Sequence, residues 1–186
     1  MIVYHGSNSN FKKLRISKAL VQHESTLLNE GIGIYFSTDK KVAESYGKYL
    51  YILEINDKQF IDYRVKRNCT NCIQKLLRAV YKETGVNVGI YFDIQNFIDR
   101  MHTGGQAIYT IGKDIAEILD NTSEFYCDFS QSRRDRIYRT LRRSDKERAK
   151  VYMFNYNIPN IGVIKDVSES TVRIVTKESN GIRPGW

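Results

Sequence analysis

The chain has 186 residues, 41% of them hydrophobic and 12% aromatic, which suits one domain with a core of its own and excludes a chain held open by charge. No apolar run reaches the length of a membrane span and the N-terminus lacks a signal-peptide pattern, so the expectation is a protein of the cytoplasm with no membrane partner. Three cysteines, an odd number, make no disulfide framework, and the net charge of +8 says more through its distribution than through its size.

Along the chain, Ile2 to His5 predicts a short strand, and Phe11 to Glu30 a loop with some helix. Gly33 to Ser37 predicts the next strand, followed by a short helix that Thr38 or Asp39 starts and that carries Tyr46. Tyr49 to Ile55, apolar, aromatic and β-branched, predicts a buried strand, with a turn at Asn56-Asp57. From about Cys69 to Lys150 the periodicity becomes helical. Cys72, Leu76, Leu77 and Val80 form one stripe; Ile94, Phe97, Ile98 and Met101 another; Ile108, Ile111, Ile115, Ile118 and Leu119 the clearest. Thr103-Gly104-Gly105 and Asn121-Thr122-Ser123 predict breaks between helices. Strands return over Val151 to Tyr156, Gly162 to Lys165 and Thr171 to Thr176, with turns at Pro159-Asn160 and Val167-Ser168. The order, strands then helices then strands, predicts a single α+β domain over residues 1–186 with a helical insertion at about 66–150.

Two segments carry the chemistry. Val3-Tyr4-His5-Gly6-Ser7 and Gly31-Ile32-Gly33-Ile34-Tyr35-Phe36-Ser37 each end a short apolar run on a polar reader beside glycines. Such a pattern lets a strand deliver a side chain while backbone comes close to a flat ligand. A second aromatic, Tyr46, follows Tyr35 by eleven residues. Two tyrosines, a histidine and permissive backbone suggest a pocket for a ring.

These segments resemble the first two motifs of the ADP-ribosyltransferases of the diphtheria-toxin and poly-ADP-ribose-polymerase branch, which use a His–Tyr–Glu set. The likeness covers about the first 55 residues and a late hairpin, and it extends to phage-encoded members that act against CRISPR immunity. It implies a split, mixed or antiparallel β core and NAD as co-substrate. Tyr35 and Tyr46 would hold the nicotinamide ring, the Gly6 backbone its carboxamide and His5 the adenine-side ribose, with Ser7 completing the first motif. Many members have a serine three residues before the second tyrosine; here that residue is Ala43. The acidic member is implied near the late hairpin, where two candidates stand. Glu169 is the residue type the family uses most, while Asp166 aligns without gaps to the phage relative; either could also be a simple turn residue.

The implied activity is mono-ADP-ribosylation of a host macromolecule, in the first place a protein of a defence complex. A toxin and an NAD-dependent RNA-modifying transferase are alternatives on the same fold. A different class is a non-catalytic module that binds nucleic acid or protein through residues Arg133 to Lys150. Nine basic residues there face only Asp135, Asp145 and Glu147, a local excess of +6. That run is either a solvated helix face or a docking surface. Cys69 and Cys72 have a zinc-like spacing, but no second pair follows, and no metal is expected. Gly89-Ile90-Tyr91-Phe92 echoes the Tyr35 motif without a His-Gly-Ser partner or a following tyrosine, and carries no assignment.

Overall fold

The computed structural model describes residues 1–16, 32–105, 107–146, 150–155, 158 and 160–179, with only the backbone of 144–146. The chain divides into two compact units, residues 1–62 with 149–186, and residues 63–148. The fold is α+β, a mixed seven-stranded sheet with six α-helices among the described residues.

The first unit holds the sheet. Its strands are β1 (Ile2–Ser7), β2 (Ile34–Ser37), β3 (Tyr49–Ile55), β4 (Phe60–Asp62), β5 (Val151–Met153), β6 (Ile161–Ile164) and β7 (Val172–Ser179). They lie side by side in the order β4-β5-β6-β2-β1-β3-β7, every neighbouring pair antiparallel except β4 with β5. A parallel pair needs a long crossover, and residues 63–150 are the chain between these two strands. The core side of the sheet is closed by Val3, Phe36, Tyr51, Leu53, Met153 and Ile164, all buried.

The strand expected over Val151 to Tyr156 is shorter than its pattern, and β7 runs three residues beyond the expected Thr176. Strand β4 is too short for a period-2 signal and exists through its pairing with β5. The loop expected over 11–30 and the Pro159 half of the expected turn lie largely outside the described residues.

Helix α1 (Lys40–Glu44) packs on this sheet. Asp39, the second of the two expected starters, is its N-cap and accepts the Lys41 N–H at 2.9 Å. The helix stops at Glu44, so Tyr46 is not on it as expected but in the turn that follows. There the Ser45 hydroxyl donates back to the Val42 carbonyl at 2.7 Å and the Tyr46 N–H to the Ala43 carbonyl at 3.1 Å.

The second unit is helical: α2 (Lys66–Thr84), α3 (Ile94–His102), α4 (Ile111–Asp120), α5 (Ser123–Asp128) and α6 (Gln131–Lys146). The buried line of α2 is Cys69, Ile73, Leu76 and Val80, while Cys72 and Leu77 of the expected stripe sit half-buried on its flanks. The stripes of α3 and α4 are buried as their spacing demands, apart from half-buried Ile94 and Ile118. Gly85 ends α2 in the left-handed region, φ 70°, the conformation a helix C-terminus leaves to glycine. Gly89-Ile90-Tyr91 lies in a short 3₁₀ turn rather than a strand, a backbone conformation unlike that of the Tyr35 motif.

Candidate functional site

Strand β1 pairs with β3 at six positions but with β2 at one only, Tyr4 opposite Ser37. A sheet paired so briefly opens at that seam, and a cleft lies there. It measures about 380 Å³ counted out to its solvent mouth and is lined by Tyr4, His5 and Gly6 of β1, Tyr35, Phe36 and Ser37 of β2, Ala43, Tyr46, and Ile161 of β6.

His5 closes the seam that the backbone ladder leaves open. Its Nδ1 is 2.7 Å from the Tyr35 carbonyl. A carbonyl only accepts, so Nδ1 carries the proton and Nε2 of the neutral ring remains an acceptor. Packing buries the imidazole on its other side. Phe11 stacks on Tyr51 at 3.9 Å between centroids, and the His5 ring lies 6.0 Å and 6.1 Å from these two. The Tyr51 hydroxyl fixes that lid by accepting the Phe11 N–H at 2.8 Å and donating to the Ser9 carbonyl at 2.9 Å. Burial pushes the His5 pKa below 6.5, against a smaller opposing effect of the Tyr35 carbonyl.

Gly6 is where the glycine pattern becomes geometry. A Cβ there would stand 2.0 Å from the Ala43 carbonyl oxygen and 3.0 Å from Tyr46 Cβ. The close approach is therefore made first by α1 and its following turn, which brings Tyr46 against β1. Tyr46 keeps 39% of its surface exposed, and burial of the remainder raises its phenol pKa. Lys40 ties α1 to the far strand of the sheet through Glu178 at 2.8 Å.

The end of β6 at the cleft is also set by local backbone. Asn160 adopts φ 64°, and its carbonyl accepts the Thr38 N–H at 3.1 Å. Ile161 then enters β6 opposite Ser37, whose own hydroxyl accepts the Asp39 N–H at 2.9 Å.

Of the expected site residues, the structure brings His5, Gly6, Tyr35 and Tyr46 together. It does not bring the rest. Ser7 is buried with its hydroxyl accepting the Ser9 N–H, and does not line the cleft. Asp166 and Glu169 do not line it either. Tyr35 is opposite Val163 in the β2–β6 register, so Asp166 lies three residues along, roughly 10 Å away. The Asp166 carboxylate pairs with Lys150 at 2.8 Å, accepts the Ser168 N–H at 2.9 Å and accepts the Thr171 hydroxyl at 3.1 Å. The Lys150 ammonium first, and the Ser168 amide next, hold its pKa down to about 2. Asp166 thus fastens the β6–β7 turn, and Glu169 is exposed at its tip. Among the described residues no carboxylate lines the cleft.

Tyr4, Phe36, Ser37 and Ile161 line the cleft without having been expected there. Ser37 and Phe36 were adjacent to Tyr35 in sequence, but adjacency alone gives no facing; Ile161 had no local signal at all. In the helical unit, Cys69 Sγ donates to the Tyr63 carbonyl at 3.0 Å and the Tyr63 hydroxyl to Cys72 Sγ at 3.6 Å. Among the described residues no group of three His, Cys, Asp or Glu side chains is placed to hold a metal, and no helix is long and apolar enough to cross a membrane.

No protein-family model, no curated protein and no solved structure matches the chain.

Proposed function

We propose that the chain is an NAD-dependent mono-ADP-ribosyltransferase that modifies a host macromolecule, in the first place a protein of a defence complex, in the cytoplasm. The observation that supports this reading is the convergence of His5, Gly6, Tyr35 and Tyr46 on one cleft. The motif resemblance over about the first 55 residues supports it further, as an effector of a phage or mobile element.

The lining suits a flat amide-bearing ring: two tyrosines for its faces, backbone at Gly6 for its carboxamide, and the His5 acceptor nitrogen for a ribose hydroxyl. Ala43, in place of a serine, gives up one hydrogen bond to the ring, about 1 kcal/mol. Bound NAD would supply a glycosidic bond whose cleavage builds positive charge on ribose, as in glycoside hydrolysis. The described lining residues contribute orientation and water exclusion to that cleavage.

The experiment follows nicotinamide release and labelled ADP-ribose transfer from NAD in a host extract. Transfer that exceeds release in buffer alone supports the reading, and no release in either condition refutes it.

A further inference from the structure

We propose that the exposed face of α6 is a docking surface for nucleic acid, held through the phosphate backbone without regard to sequence. The inference does not rest on the transferase reading, and it is made of the helical unit alone.

Helix α6 buries Arg134, Ile137, Thr140 and Leu141 and turns Arg133, Arg136, Arg139, Arg142 and Arg143 to solvent. Arg134 is spent inside: its guanidinium lies 3.7 Å over the Tyr126 ring and donates to the Tyr126 and Phe129 carbonyls at the end of α5. Arg143 pairs with Glu83 at the end of α2. Among the described residues, the other four exposed arginines form no ion pair with a carboxylate. Asp135, the one exposed acid from Gln131 to Arg143, accepts the Gln131 amide at 2.9 Å.

Arg133, Arg136, Arg139 and Arg142 follow one another at three-residue steps, roughly 4.5 Å of rise each. Like charges at that spacing repel along a helix. Arg133 lies 5.2 Å from the Phe129 ring and Arg139 Nε donates to the Asp135 carbonyl at 3.3 Å, contacts that leave the charges unneutralised, while the helix is anchored by its opposite side. A polyanion removes the repulsion.

Two features choose nucleic acid over an acidic protein. From Gln131 to Arg143 every exposed cation without a carboxylate partner is arginine, whose planar fork matches phosphate oxygens. The exposed residues from Gln131 to Arg143 include no apolar side chain, whereas the centre of a protein–protein interface is apolar and poor in charge. Protein–nucleic acid interfaces are polar and strongly positive.

The test titrates the protein with a fluorescein-labelled 20-base-pair duplex and reads anisotropy across a salt series. Wild type is expected to bind with log K falling steeply against log salt, about −0.9 for each phosphate neutralised. The Arg136→Gln/Arg139→Gln/Arg142→Gln variant, which spares the Glu83 pair, is expected to flatten that slope by roughly 2 to 3 with an unchanged melting temperature. The matching triple Arg→Lys variant is expected to keep the slope. Absence of binding at low salt, a slope that the Gln variant leaves unchanged, or equal competition by polyglutamate at matched charge would each overturn the proposal.

Discussion

His5 Nδ1 donates to the backbone carbonyl of Tyr35 across 2.7 Å, joining two strands at the place where their own ladder stops. One side chain thereby holds the seam and fixes its own tautomer, leaving Nε2 as an acceptor for a ligand. The same contact explains why the histidine and the first tyrosine are linked: the histidine reads the tyrosine's backbone, and both residues line the cleft.

The lowered His5 pKa has a definite pH consequence. Its depression below 6.5 means the unfolded chain binds the proton more readily than the folded one. The contribution to stability is complete above about pH 6.5 and falls away as the pH drops through the lowered native value. NMR titration of the imidazole should show it neutral at pH 7 and titrating below 6.5, with His5→Gln removing the corresponding acid-sensitive part of the stability curve.

Gly6→Ala tests the approach of α1 to β1. With an added Cβ 2.0 Å from the Ala43 carbonyl, α1 and Tyr46 must move away. Overpacking of this kind costs about 1–3 kcal/mol, and thermal denaturation should show it together with loss of NAD binding. Ser9→Ala, three residues beyond the last lining residue of β1, should leave binding near wild type.

Asp166→Asn separates turn from catalysis. Its pKa, lowered from 3.8 to about 2, marks stabilisation present above about pH 4 and lost as the pH falls towards 2. Wild type and the variant should therefore differ in stability at pH 6 and converge near pH 2, while nicotinamide release stays close to wild type. A collapse of release with stability unchanged would return the residue to the chemistry.

The parts of the fold legible in the sequence are those whose signal is local. Tyr49 to Ile55 alternates against a packed face, and Ile108 to Leu119 keeps helix spacing, so both appear as elements. The seam between β1 and β2 is not local. It depends on how far two strands separated by 30 residues pair, which no periodicity reports. The acidic candidates illustrate the same boundary. Asp166 and Glu169 stand near the right strand in sequence, but β-strand register carries them past the Ile164 end while the cleft lies towards Ile161. Composition could find the arginine run, and only helix α6 shows which arginines the packing consumes.

The most direct test of the central claim is NAD binding and nicotinamide release measured on wild type, Tyr35→Ala and Tyr46→Ala, each confirmed folded by its melting curve. Loss of one stacking face is worth about 0.5–1.5 kcal/mol, so calorimetry should show roughly 2- to 13-fold weaker NAD binding in each variant. Release by wild type, reduced in both variants, is the predicted result. Saturable NAD binding at wild-type strength in both variants, or none in the wild type, would contradict the assignment of this cleft.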